Sequence, residues 1–228
     1  MKFKSPVYSQ ASGSIAGITY SHNLGGLYTR ARTIPVNSQT SQQQAVRNFV
    51  STLAARWTQT LTAAQRAGWE TYALNVPITD TLGDPRTVTG LNHYIRANVP
   101  RLQIALTIID AAPVIFSGAV LQLISMTPDA SADTISVTYI NTDEWANAVG
   151  GALILYGSRP VNPSVNYFKG PYRLYTFVLG AATPPSSPII SAAPFPIDTG
   201  QKVFVQGRAT TADGRLSAPF RLGAIVVA

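Results

Sequence analysis

Two hydrophobic periods divide this chain. Through most of the first half the apolar residues recur every three or four positions; beyond about residue 112 they alternate with polar ones. The first forty residues fit neither period. Gly13, Gly17, Gly25 and Gly26 interrupt them too often for a helix, while Ile15, Ile18, Tyr20, Leu24, Leu27 and Tyr28 are strand formers. Ile18-Thr19-Tyr20, followed by Ser-His-Asn, reads as a short strand running into a turn. So sparse an apolar set does not offset a backbone ordering cost of roughly 1–2 kcal/mol per residue. Residues 1–40 are therefore expected to form an extended arm, ordered only against other protein chains.

The helical period begins after Pro35. Val46, Phe49, Val50, Leu53, Trp57 and Leu61 fall on one face, with Thr40 or Ser41 as N-cap. A second helix starts at Thr62, which has capping-box spacing to Gln65; Trp69, Tyr72, Ala73 and Val76 form its apolar face and Pro77 ends it. The two helices meet near Leu61 in a tight corner with both tryptophans facing inward. After the polar stretch ITDTLGDPRTV, Thr89 caps a third helix lined by Leu91, Tyr94, Ile95 and Leu102, with a kink or break expected at Pro100.

After Pro113 the runs Val114–Met126, Thr134–Ile140, Ala152–Gly157, Tyr172–Leu179, Lys202–Arg208 and Phe220–Val227 read as strands. Asp213-Gly214 between the last two is a strong hairpin signal. The five prolines between Ala181 and Pro196 mark an irregular connection or edge segment. The fold class is α+β. The expected parts are an extended basic arm (1–40), a helical anchor of about three helices (41–112), and an antiparallel sandwich of immunoglobulin-like or fibronectin III-like type (113–228).

Composition sharpens this picture in one respect. The 228 residues are 46% hydrophobic and 12% charged, as in a globular protein, but the net charge of +7 is unevenly placed. Lys2, Lys4, Arg30, Arg32, Arg47, Arg56 and Arg66 precede the first carboxylate, Glu70, whereas the half beyond Pro113 is almost neutral. Such a one-sign field suits an acidic partner surface or nucleic acid. No apolar run approaches the roughly 18 to 20 residues of a membrane span. The start, MKFKSPVYSQASGS, has no apolar region behind its lysines and does not read as a secretory signal. The absence of cysteine excludes disulfides, thiolate metal sites and cysteine nucleophiles, and is compatible with a reducing cytoplasm.

Catalytic chemistry finds little support. His22 and His93 have no companion ligands at zinc spacing, and the ten carboxylates form no obvious acid/base pair. The glycines of SHNLGGLYTR lack the Gly-Lys-Ser/Thr of a phosphate loop. The chain reads as non-enzymatic, needing no metal or cofactor. Tyr28-Thr-Arg30-Ala-Arg32 and Tyr94-Ile-Arg96 could track a phosphate backbone with base stacking, but they sit in no recognisable nucleic-acid-binding fold. Tyr156, Tyr167, Phe168, Tyr172 and Tyr175 could present a glycan platform, against the plainer reading that most alternate into the core.

The order GSIAGITYSHNLGGLYTRARTIPVNSQTSQQQAVRNF, LAARWTQTLTAAQRAGWETYA and TGLNHYIRAN resembles structural proteins encoded by tailed bacteriophages and prophages. The resemblance covers roughly the first hundred residues. It rests on the Gly-rich arm ending in Arg-x-Arg, the Asn/Gln/Thr-rich lead-in to a helix, the Trp-x3-Leu-Thr-x2-Gln-Arg-x2-Trp corner and the Gly-Leu-Asn-x-Tyr helix start. It implies a virion component assembled in the host bacterial cytoplasm. Its partners would be other virion proteins, a major capsid or a connector or tail protein, and further copies of itself. A capsid-associated decoration or cement protein is the first reading and a neck or tail component the second. A host-surface or glycan-binding module follows, and nucleic-acid binding comes last. In the arm, Ile15, Ile18, Tyr20, Leu27 and Tyr28 are expected on or beside a neighbour's sheet, with Arg30 and Arg32 meeting carboxylates or phosphates.

Overall fold

A computed structural model describes residues 13–23, 26–34, 36–79 and 84–227, with the side chains of His22 and Asn23 excepted. Lys2, Lys4, Leu24, Gly25, Pro35 and residues 80–83 of the polar connection lie outside the described residues. The chain divides into two compact units, residues 1–44 and 45–228.

The first unit is built on a three-stranded antiparallel meander, β1 (Gly13–Ile15), β2 (Ile18–Asn23) and β3 (Gly26–Ala31), in the order β1-β2-β3. The sequence predicts one short strand turning after Tyr20, whereas β2 continues through Ser21, His22 and Asn23. Ile18–Tyr20 pair on both sides and Ser21–Asn23 pair with β3, a ladder that holds the strand despite the weak strand preference of Ser and Asn. Beyond the meander Thr40 caps α1 (Ser41–Gln59), with Gln43 N donating to Thr40 Oγ1 at 3.4 Å and Thr40 N to Gln43 Oε1 at 3.3 Å.

The second unit holds a helical cluster and a sandwich. α2 (Ala63–Asn75) starts at the expected capping box: Thr62 N donates to Gln65 Oε1 at 2.9 Å and Gln65 N to Thr62 Oγ1 at 3.2 Å. A two-stranded ladder, β4 (Ile78–Thr79) and β5 (Pro85–Arg86), leads to α3 (Gly90–Gln103), capped by Thr89. α3 runs through Pro100 to Gln103 instead of breaking there; so near the C-terminus the ring costs little of the remaining ladder. Leu53, Leu61, Trp69, Tyr72, Tyr94 and Ala97 form the helical core. Trp57 and Trp69 each lie 5.6 Å from the Tyr94 ring, centroid to centroid. A methyl group at Gly90 would sit 2.7 Å from the Glu70 nitrogen, so only glycine allows α3 to start this close to α2. The Glu70 carboxylate accepts from Gly90 N at 2.9 Å and so closes that junction.

Asp110 ties the three helices to the segment that follows them. Its carboxylate accepts from Arg56 Nε at 2.8 Å and Nη2 at 2.6 Å, and from the Tyr94 hydroxyl at 3.2 Å. Its backbone carbonyl accepts from Trp69 Nε1 at 2.9 Å.

The sandwich comprises β6 (Leu123–Asp129), β7 (Thr134–Tyr139), β8 (Ala152–Gly157), β9 (Arg173–Leu179), β10 (Ile189–Ala192), β11 (Lys202–Thr210) and β12 (Phe220–Ile225). One sheet has the order β10-β7-β6 and the other β12-β11-β8-β9, with every adjacent pair antiparallel. This three-plus-four arrangement is an immunoglobulin-like sandwich, and the fold is α+β as the two periods predict. β10 is the edge strand of the proline-rich segment. The predicted strand from Val114 begins only at Leu123: Val114, Ile115 and Phe116 are exposed, and Pro113 and Gly118 disfavour pairing there. The hairpin turn is closed by Gly214 N donating to Thr211 O at 3.1 Å, with Gly214 at φ 92°, yet β12 proper starts only at Phe220.

Ile135, Val137, Tyr139, Trp145, Leu153, Leu155, Val203 and Val205 form the inter-sheet core. β8 is buried on both faces because Ala152 and Ile154 pack outward against Ile104, with Leu106 alongside, just beyond α3. Arg101 of α3, 1% exposed, donates from Nε to Thr107 O at 3.0 Å. Its Nη1 donates to Gly150 O at 2.9 Å and Thr211 O at 3.2 Å. Helices and sandwich are thus joined by an apolar seam and a buried guanidinium.

Arg101→Met would leave the carbonyls of Thr107, Gly150 and Thr211 without the donor that joins them, at a cost of about 1–3 kcal/mol for each that stays buried. The expected result is a lower urea midpoint with one cooperative transition; an unchanged midpoint would contradict it. Arg56 and Tyr94 hold the Asp110 carboxyl below its ordinary range. A carboxyl depressed on folding stabilises above its unfolded pKa and loses that contribution as pH falls through the folded value. Asp110→Asn is therefore expected to lower the melting temperature at pH 7 and to converge with wild type as pH falls below the ordinary carboxylate range.

Candidate functional site

The residues expected to meet a partner chain share one small sheet, but on opposite faces. Ile15 pairs with Ile18, Ile18 with Ala31, and Tyr20 with Thr29, which puts Ile15, Ile18 and Tyr20 on one face. By the same register Leu27, two positions before Thr29, shares that face. The other face takes Tyr28 and Arg30, opposite Ser21 and Thr19. The apolar face is open to solvent at Ile15, 74% exposed, and Ile18, 45% exposed. Arg30 and Arg32 are exposed, and Arg32 N is fixed by donating to Gly17 O at 2.9 Å. No acidic residue occurs in the first 69 positions, so this sheet has one apolar and one polar, cationic side with no internal counter-charge.

The other sequence candidates are used largely by the fold. Tyr94 is fully buried and unavailable for base stacking, and the two N-terminal tryptophans belong to the helical core and its margin. Of the five aromatics considered for a glycan platform, only Tyr167 stands largely exposed, at 62%, with the Arg221 guanidinium 5.4 Å from its ring centre. Phe168 is buried and stacks on Phe204, and the Tyr172 hydroxyl donates to Phe168 O at 3.0 Å. Tyr156 donates to Gln103 Oε1 at 2.7 Å. The Tyr175 hydroxyl lies 2.5 Å from Ile135 O and 2.7 Å from Ser191 O, and burial pushes its pKa up to about 12.

A second site was not legible in the sequence. A cavity of about 500 Å³ opens between the helices and the sandwich, lined by Tyr72, His93 and Arg96 on one side and Arg208, Leu216 and Pro219 on the other. His93 is 5% exposed and its Nε2 has no hydrogen-bond partner; Arg208 Nε is likewise buried and unpartnered. Burial, and then the like charge of Arg96, lower the pKa of both His93 and Arg208. Two guanidiniums repel a metal cation, and among the described residues no group of three His, Asp or Glu side chains is placed to hold one. The spacing of His93, Arg96 and Ala97 on one helical stripe was a signal, but Arg208 carried none: on β11 it alternates outward with Lys202, Phe204 and Gln206, as a solvent-facing residue would.

No family model and no curated protein matches this chain. Among solved structures, the adhesin domain of Epf from Streptococcus pyogenes is similar at 14% identity and a TM-score of 0.32. The similarity spans 47% of this chain and 33% of that one, so about a third of the length of the matched structure is covered.

Ile15→Ser with Ile18→Ser should change the stability of the isolated chain by no more than about 0.5 kcal/mol, since exposed apolar side chains contribute little. Chemical denaturation checks this, and a larger loss would show that the apolar face is covered within the chain.

Proposed function

We propose that this chain is a structural protein of a phage virion, a capsid-associated decoration or cement protein. Its arm and helices anchor it to neighbouring virion proteins, and the sandwich is displayed. The observation that carries the reading is the arm sheet, whose apolar face is open at Ile15 and Ile18 and whose flank presents Arg30 and Arg32. A sheet of three short strands with one exposed apolar face is marginal alone and is stabilised by a surface laid against it. An acidic shell surface supplies the complementary charge. The resemblance of the first hundred residues to phage structural proteins points the same way. The near-neutral sandwich, with Tyr167, Phe177 and Phe220 exposed at its surface, suits display better than tight anchoring.

Deleting residues 1–33 should leave the helices and sandwich folded, as judged by circular dichroism and melting temperature, and abolish incorporation into particles. Purified particles from a host carrying the full-length and truncated chains provide the measurement. Absence of the full-length chain from virions, or incorporation of the truncated one, would defeat the proposal. Hundreds of copies per particle would fit shell decoration; tens or fewer would move the chain to the neck or tail.

A further inference from the structure

The cavity between helices and sandwich gathers positive charge, and among the described residues no carboxylate lines it. Arg96 and Arg208 are half-buried, and neither makes a hydrogen bond or ion pair to a carboxylate among the described residues. Three acids of the helices and the sandwich are engaged within the fold. Asp213 accepts from Arg215 Nε at 2.8 Å and from the Thr211 hydroxyl, Glu144 pairs with Arg215, and Glu70 caps α3. The groups whose field favours the two cations are Tyr72 for Arg96 and Tyr156 for Arg208. Burial raises the pKa of both phenols above the ordinary value, so at neutral pH they carry no negative charge. Cations in such a setting are costly unless something neutralises them.

We propose that this cavity is an oxyanion-binding site, taking a carboxylate or phosphate carried on a short apolar stem. The guanidiniums of Arg96 and Arg208 supply planar forks suited to two oxygens. Arg208 Nε, buried and without a partner, gains one when an oxygen of the anion sits there. The walls formed by Val76, Leu216 and Pro219 take the apolar stem. A volume of about 500 Å³ fits a small molecule or the last residues of a chain, and is too small for a folded partner. The same chemistry could come from a free metabolite or from the terminal carboxylate of a neighbouring protein. The proposal does not depend on the virion reading, because the site lies wholly within residues 45–228.

Isothermal titration of the full chain at low salt with three probes tests this. The probes are inorganic phosphate, hexanoate, and a hexapeptide ending in leucine with a free carboxylate, the last paired with its amidated form. At least one oxyanion should bind one-to-one with a Kd below ~1 mM. Arg96→Met and Arg208→Met should each weaken that binding at least tenfold while leaving the unliganded melting temperature equal or higher. Arg96→Gln and Arg208→Gln, which keep polar groups in the cavity, should show the same loss if a methionine variant fails to fold. Hexanoate or phosphate binding tighter than the peptide assigns a free small anion; tighter binding of the free-acid peptide, lost on amidation, assigns a chain terminus. No saturable binding of any probe at ~20 mM, or binding that none of the variants weakens, overturns the proposal.

Discussion

Arg101 makes no direct contact with a carboxylate among the described residues; it is buried where α3 meets the sandwich, and its guanidinium is met by carbonyl dipoles from three separate segments. Thr107 belongs to the chain leaving α3, Gly150 to the loop before β8, and Thr211 to the turn after β11. Burial lowers its pKa, but a guanidinium starts high enough to stay charged. Because planar nitrogens point in fixed directions, the three segments are held in one geometry. An apolar side chain of similar size would fill the space without specifying it. The rest of the second unit follows from that constraint. With α3 fixed over the four-stranded sheet, Ile104 and Leu106 cover Ala152 and Ile154, and β8 becomes an interior strand on both faces.

The same docking creates the cavity. Fixing α3 on the sheet brings His93 and Arg96, about two turns and one turn before Arg101, toward the outer face of β11, where Arg208 stands. The helix–sheet contact is apolar near Ile104 and cationic near Arg96, so one interface serves cohesion at one end and leaves an unneutralised field at the other. The arm sheet carries the corresponding imbalance on its own scale, with an open apolar face and arginines lacking any acid in the first 69 residues.

Much of the local structure was legible because it depends on neighbours in sequence. The Thr62–Gln65 capping box, the Thr89 cap, the inward face of Trp69, Tyr72 and Ala73, and the alternation of β7 and β11 all arise from residues within a few positions of one another. Helical and strand periods fix which face is apolar before anything packs on it. That was enough to set the α+β class and six of the sandwich's seven strands; β10 lies in the proline-rich segment that read only as an irregular connection or edge. The arm exposed the limit of this reasoning: Ile18-Thr19-Tyr20 before Ser-His-Asn read as one short strand into a turn, while pairing with β3 extends β2 to Asn23.

What the sequence determined, then, is every feature in which one segment satisfies itself: the caps, the helix faces, the strand runs and the basic, acid-free N-terminal third. Only tertiary structure decided that β8 is covered on both faces, that Arg101 is held by carbonyls 6, 49 and 110 residues away, and that Arg96 and Arg208 share one cavity. An arginine on an outward strand position reads identically whether water or a helix lies opposite it. The difference is the free energy of desolvation, which depends on what covers the residue and is written nowhere in its own neighbourhood.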